Sequence, residues 1–409
     1  MPAAARARGQ ARLKTAEAFS VRVPAAARRL LEPLARRARA EGLALYAVGG
    51  CVRDWLRGGS TNDYDLVCDR DPAPLLAWCR RAAGGRAEAF GQFGTFRVVG
   101  AGRPPLRIDL AVARRERYPA PASLPVVAPA ASIEEDLGRR DFTVNAMALA
   151  FNGPRRGELI DPFGGRADLR AKRLRLLHAS SLRDDPTRAF RAARYACRLG
   201  LRPDADLLRQ CREAMAAGHA ARLSPHRLTQ ELLRLLAERE TRCPLAYLER
   251  WGYLALFGVR PPSPPRELRG VEERLCAMVL ALGSRGKAFV DRLALERRLS
   301  GDLHELLRLT EEKRAARERL PIHVLRALRA LRPGLPACAL RPLFLNGSDL
   351  EALGLVPGPG FRRVLERAAA LQWRGTLRRR SEALAWARRH AARLLEHGGA
   401  DGAARNMVR

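Results

Sequence analysis

The sequence predicts an α+β chain, mixed in character up to about residue 175 and helical beyond it. Three observations carry this. Short β-type runs such as "ALYAVGG", "DYDLVC" and "LRIDLAVA" alternate with helix-type segments in the first part. From "DDPTRAFRAARYACRLGL" onward, apolar residues recur at helical spacing with Arg on the polar faces. The Pro-rich "RPPSPPREL" (260–268) interrupts that helical half as a linker.

The chain has 409 residues, room for several domains. Hydrophobic residues make up 47%, yet no apolar run is long enough to span a bilayer. The N-terminal "MPAAARARGQARLKTAEAF" is basic and lacks the apolar centre of a secretion signal. A cytoplasmic protein without a membrane segment is expected. Lys+Arg 75 against Asp+Glu 43 gives 75 − 43 = +32. This excess is spread along the chain and calls for a polyanion, nucleic acid or an anionic membrane. Abundant Arg and Ala also fit GC-rich coding, which raises Arg without a ligand. The eight cysteines form no CxxC pair, which fits buried free thiols better than zinc or a disulfide framework.

In chain order, residues 1–27 read as a loose basic arm. "AAARRLLEPLARRARAEGL" has helical spacing. "ALYAVGG" is a short buried strand entering a glycine turn, and "CVRDWLRG" starts the next helix. "DYDLVC" alternates as a strand, putting Asp63 and Asp65 on one face. "FGTFRVVG" and "LRIDLAVA" are further strands. The Pro- and Ala-rich segment 114–135 reads as a long mobile loop. In "DLGRRDFTVNAMAL", Asp141 and Asn145 are spaced for one helix face. Pro186 suits the first turn of a helix capped by Asp184 or Asp185. "SPHRLTQELLRLLAERE", "CPLAYLERWGYLALFG" and most of 268–335 are helical. A last helical region starts near "LFLNGSDLEALGLVPGPGFRRVLE" and ends in a frayed tail after "HGGADG".

Three constellations carry chemistry. Gly49 and Gly50 permit a tight strand-to-helix turn and close approach of a phosphate to backbone N–H groups. Arg53, one turn into the helix, can reach the same phosphate. Asp63 and Asp65, pointing the same way, can share divalent metal; by themselves they also fit a solvated turn. Asp109 is a third acid inside an apolar strand, costly unless it meets a cation, and it can complete a metal site or reach solvent at the strand end. Second, Arg139 and Arg140 offer fixed donors for a triphosphate, with Asp141 and Asn145 able to hold a ribose or cap a helix. Third, Asp185, Arg188, Arg191 and Arg194 recur on one helix. A carboxylate and a guanidinium side by side match a Watson–Crick edge. The carboxylate accepts from the exocyclic amine of cytosine or adenine, the guanidinium donates to cytosine O2/N3 or adenine N1, and guanine and uracil present the wrong polarity. Capping with solvated arginines is the alternative for this segment.

"VGGCVRDWLRGGSTNDYDLV", "RRDFTVNAMAL", "LIDPFGGRADLRAKRLRLL" and "DDPTRAFRAARYACRLG" resemble, in order and spacing, the class II tRNA nucleotidyltransferase and poly(A) polymerase family. "LSPHRLTQELLRLL" resembles its next helical motif, and "GSDLEALGLVPGPGFRRVLE" resembles an element of bacterial tail regions. The resemblance implies a polymerase-β-type nucleotidyltransferase head with a small mixed sheet (28–175), then a helical neck that recognises the base (176–235), a body (236–335) and a tail (336–409). It implies magnesium on Asp63 and Asp65; Asp109, read from its strand alone, is the third candidate catalytic acid. Gly50, Arg53 and Arg140 would contact the triphosphate, and Asp185 and Arg188 would read the base with Arg191 and Arg194 nearby; Gly49, Asp141 and Asn145 are the further nucleotide-binding candidates that the residues themselves suggest. It implies CTP and ATP as substrates and the acceptor arm of tRNA as partner, held by Arg-dense helices of body and tail. No obligatory protein partner is inferred. Members add CCA, CC, A or poly(A), and full CCA addition is the expectation here. Two departures stand out. The base-reading motif begins Asp184-Asp185 where the family has Glu-Asp, and the 114–135 segment lacks the glycine expected after its second proline. No His-Asp dipeptide occurs, so the phosphohydrolase domain of some relatives is not expected in these residues.

Overall fold

The computed structural model describes residues 20–90, 95–100, 104–316 and 319–396. Most of the expected basic arm and the end of the frayed tail lie outside them. Two compact units divide at Leu223 and Ser224, so the expected neck, 176–235, is shared between them.

The first unit opens with helix α1 (Ala25–Ala40), whose start already claims the end of the arm. Strand β1 (Leu45–Val48) leads through the glycine turn into α2 (Gly50–Leu56) and β2 (Asp63–Cys68). Then come α3 (Leu76–Ala83), β3 (Arg86–Phe90), β4 (Thr95–Val99) and β5 (Arg107–Val112). A seven-stranded mixed sheet is ordered β3-β4-β5-β2-β1-β8-β9, where β8 is Ala148–Ala150 and β9 Leu159–Ile160. Only β2 and β5 run parallel within it. The strands follow the alternation read from the sequence. Tyr64, Leu66, Ile108 and Leu110 point to one face, where they pack on Leu31, Leu34, Trp55 and Leu75. Each such burial stabilises by roughly 1.5–3 kcal/mol. Val48, Val67, Ala148 and Ile160 join a smaller core with Ile133 and Leu137.

Residues 114–135 depart from the expected loop. Strands β6 (Arg114–Arg117) and β7 (Val126–Pro129) form an antiparallel hairpin, and α4 (Ile133–Gly138) follows, N-capped by Ser132. Proline and alanine masked a β-branched pair, Val126-Val127, able to extend against "RRER". After β8 and β9 come α5 (Gly165–Arg170), β10 (Arg173–Leu174), α6 (Ser181–Asp184), α7 (Thr187–Leu199), β11 (Arg202–Pro203) and α8 (Ala205–Ala216). The two-residue β11 pairs with β10, a small interruption of the otherwise helical neck.

The second unit is helical: α9 (Pro225–Leu236), α10 (Arg242–Arg250), α11 (Val271–Leu282), α12 (Gly286–Arg292), α13 (Arg297–Glu312), α14 (Ile322–Leu331), α15 (Gly347–Glu351), α16 (Pro359–Trp373) and α17 (Arg380–Glu396). Buried Arg274 donates to the carbonyls of Leu236, Glu238 and Leu268 at 2.5, 2.6 and 2.8 Å. It closes the open end of α9 and pins the far end of the Pro-rich linker. The last helices share a core of their own around Leu350, Val364, Ala368 and Leu377. Six cysteines (51, 68, 79, 211, 276 and 338) are free and buried. Among the described residues no helix is long and apolar enough to cross a membrane.

Candidate active site

The site starts where β1 ends. Gly49 has φ +69°, in the left-handed region. A Cβ there would stand 2.8 Å from Arg140 Nη1, 3.6 Å from Asp65 Oδ2 and 3.7 Å from the Asn145 carbonyl. A side chain is therefore excluded both by conformation and by space. The glycine lets a guanidinium, a carboxylate and a carbonyl share one small volume.

Asp63 and Asp65 leave β2 on the face opposite buried Tyr64 and Leu66. The parallel register puts Asp109 beside Asp65, and the next strand puts Arg97 beside Asp109. A row of charges thus crosses three strands. Arg97 Nε and Nη2 donate to the two oxygens of Asp109 at 2.8 and 2.7 Å. The strand acid meets its cation, supplied by the protein. Burial, then the Asp109 charge, raises the pKa of Asp63. Burial also lifts Asp65, opposed by Arg140 and reinforced by Asp63 and Asp109, to about 6. Acids crowded this way are relieved by a cation. Among the described residues no three His, Cys, Asp or Glu converge to hold a metal ion. Asp63 and Asp65 are the two carboxylates on this face that could take a divalent cation, with the remaining positions open to other oxygen ligands. On the anion side, the buried Nε of Arg140 has no hydrogen-bond partner. A desolvated guanidinium N–H left open beside the glycine turn fits a phosphate oxygen.

Asp136 was not singled out from the sequence. It is fully buried, and its Oδ1 accepts from Arg139 Nε and Nη2 and from the Arg114 N–H at 3.0, 2.9 and 3.1 Å. Its Oδ2 accepts from Arg140 Nη2 at 3.0 Å. Burial pushes its pKa up, but Arg140 and Arg139 outweigh this and hold it below the usual range. One acid thus aims both arginines. The available signal was its spacing, three and four residues before the arginine pair.

Asp141 and Asn145 do not lie on an α-helix face. Residues 143–145 form a 3₁₀ turn, and every residue from 141 to 150 is buried. A segment buried on all sides has no polar face to present, and β8 must leave it to join β1. The two side chains still meet. Asn145 Nδ2 donates to Asp141 Oδ1 at 3.0 Å, Arg53 Nη1 donates to Asn145 Oδ1 at 2.6 Å, and Arg191 Nε donates to Asp141 Oδ2 at 2.7 Å. Arg191 and Asn145 outweigh burial and keep the Asp141 pKa low. This chain joins α2 to α7. Around it, the guanidinium carbons of Arg53, Arg191 and Arg198 lie 5.6, 5.5 and 5.0 Å from the Tyr195 ring centre. Tyr195 was also missed, since a lone tyrosine in a helix reads as core.

Asp185 stands one residue ahead of the N-cap Pro186 of α7, its Oδ1 accepting from Thr187 N and Oγ1 at 3.0 and 2.6 Å. Arg188 is buried and donates from Nη1 to Ser181 Oγ at 2.5 Å and from Nη2 to the Arg139 carbonyl at 3.0 Å. Its guanidinium lies 6.0 Å from the ring centre of Tyr118, at the end of the hairpin strand β6. Glu116, on the same strand, accepts from Arg139 Nη1 at 3.0 Å. Arg194 is half-buried on the same helix.

This fold, with paired acids beside a glycine turn, defines a nucleotidyltransferase head. The family described as the Poly A polymerase head domain matches residues 45–175. The chain is similar to an A-adding tRNA nucleotidyltransferase of Halalkalibacterium halodurans, 31% identical over 395 residues, 88% of this chain and 91% of that one. A CC-adding tRNA nucleotidyltransferase of Deinococcus radiodurans is 33% identical, covering 86% and 90%. Of two further A-adding relatives the chain spans only 26% and 24%. A solved CCA-adding enzyme in complex with ATP matches with TM-score 0.63 and 25% identity over 89% of this chain and 95% of that one. The chain belongs to the class II tRNA nucleotidyltransferase and poly(A) polymerase family.

Proposed function

We propose that this chain adds C, C and A to the 3′ end of tRNA from CTP and ATP. The observation that carries the reading is the continuity of the site. On the helix that follows Asp185, Arg188 reaches the Arg139 carbonyl and Arg191 reaches Asp141, from which Asn145 leads to Arg53 and to the residues around Gly49 and Asp65.

Gly49 and Gly50 admit the triphosphate against the backbone, and Arg140 and Arg53 offer it N–H donors. Asp141 and Asn145 face the ribose side. Asp185 accepts from the base's exocyclic amine while Arg188 donates to its ring edge, with Arg191 and Arg194 adding positive charge. Asp63 and Asp65 would hold magnesium, which would supply activation of a hydroxyl and charge neutralisation of a departing pyrophosphate. Asp109, braced by Arg97, adds its charge to that row. The tRNA 3′-hydroxyl attacks the α-phosphate in line and pyrophosphate leaves. Body and tail, 236–335 and 336–409, grip the acceptor arm by phosphate and shape contacts, in the cytoplasm. The relative solved with ATP supports the nucleotide assignment.

A CC-adding or A-adding activity is the second reading, favoured by two relatives of those names matched over 90% and 91% of their own length. A tRNA lacking its CCA end, incubated with CTP and ATP and sequenced at the 3′ end, decides between them. Termination at CC with both nucleotides present, or addition of A only to a CC end, establishes the partial activity. Long A tails on unrelated RNA establish a poly(A) polymerase instead. Asp63→Ala and Asp65→Ala should each abolish incorporation and spare tRNA affinity, and unaltered turnover removes them from the metal site.

A further inference from the structure

The loop before α7 holds a directed chain of hydrogen bonds that ends on Arg188. Ser180 Oγ lies 3.1 Å from Asp184 Oδ2 and 3.1 Å from His178 Nδ1. A carboxylate only accepts, so the serine hydroxyl donates its single hydrogen to Asp184. Its oxygen is then an acceptor towards His178, which places the ring proton on Nδ1. The opposite nitrogen, Nε2, carries a lone pair and lies 3.4 Å from Arg188 Nη1. Burial and the Arg188 charge push the imidazole pKa down, which keeps the ring neutral. The loop itself is fixed by buried Gln210 of α8, which donates to the His178 carbonyl at 3.1 Å and accepts from the Leu182 N–H at 3.3 Å.

A guanidinium has five N–H donors. Among the described residues Nη1 of Arg188 serves Ser181 and His178, and Nη2 serves the Arg139 carbonyl. The Nε–H and one Nη2–H are left, and these share one edge of the group. We propose that His178 is a positioning residue for base selection, which together with Ser180 and Asp184 sets the edge that Arg188 turns to the incoming base. This rests on the reading of Arg188 given above. Asp184, the shorter first acid of its motif, thereby orients the serine that orients the histidine.

The test is the ratio of kcat/KM for CTP over UTP on tRNA lacking CCA, measured with the full-length protein. His178→Ala should lower that ratio about tenfold, the loss expected when a hydrogen bond to a charged group is removed. His178→Gln, whose amide oxygen accepts from the guanidinium, should restore most of it, a rescue a purely structural role would not produce. Ser180→Ala, a milder change, should give a smaller fall. Nitrogen NMR of the wild-type ring should show the Nδ1–H tautomer. An Nε2–H tautomer, or an unchanged ratio in His178→Ala while Arg188→Ala loses discrimination, overturns the inference alone. Unchanged discrimination in Arg188→Ala overturns it together with the base-reading role of Arg188.

Discussion

Gly49 shows how much one residue can carry. Its φ excludes most side chains, and a Cβ would meet the guanidinium of Arg140 at 2.8 Å. Gly49→Ala should displace Arg140 and cost about 10²-fold in kcat/KM, as a misplacement of about 1 Å does at a reacting centre. It should also cost about 1–2 kcal/mol of stability from the left-handed backbone. Steady-state incorporation and a thermal melt measure both, and near-normal kinetics would show that Arg140 does not need its present position. Gly49, Asp63, Asp65 and Asp109 were legible in the sequence because turn chemistry and strand alternation are local rules. Asp136, Arg97 and Tyr195 were not. Each acts through partners on other elements, and Arg97 on its own reads as a surface arginine of a strand.

At the scale of elements, the hairpin of β6 and β7 is the segment the sequence hid. Its connection contains Ala122 at φ +60°, at the position following the second proline where the family resemblance led us to expect glycine. The Ala122 N–H donates to the Arg183 carbonyl at 3.1 Å, so the strained conformation is held by a tether to α6. Ala122→Gly should relieve the left-handed penalty and offset the extra chain entropy of glycine, a net gain of about 0.5–1 kcal/mol. Denaturant melts of the whole protein read this, and a loss of stability would show that alanine fits the turn without strain. The 3₁₀ turn at 143–145 was hidden for another reason. Spacing of i and i+4 fits an α-helix face, but it fits equally well two side chains folded back on each other in a buried turn, and only burial on all sides separates the two.

For the whole molecule, the charge of +32 and the separate apolar core of the last helices matter together. Trimming the chain after residue 340 removes that core as one piece. tRNA affinity should fall at least about tenfold and its dependence on salt should flatten, because fewer phosphates are neutralised. CTP affinity should be unchanged. Filter binding over a salt series with isothermal titration of CTP measures this, and equal losses of both ligands would mean the tail supports folding rather than RNA binding. The helical half was legible as helices from its spacing. The division at Leu223 and Ser224 was not, because the change in composition comes some fifty residues earlier, and the early neck packs with the head it follows.

Two braces in this region end on main-chain oxygens: Arg188 on that of Arg139, and Ala122 on that of Arg183. Every amino acid brings such an oxygen, so mutation at either position leaves the brace in place. This corner of the protein can drift in sequence, even to an alanine where a glycine would sit more comfortably, and still keep the guanidinium and the hairpin where they are.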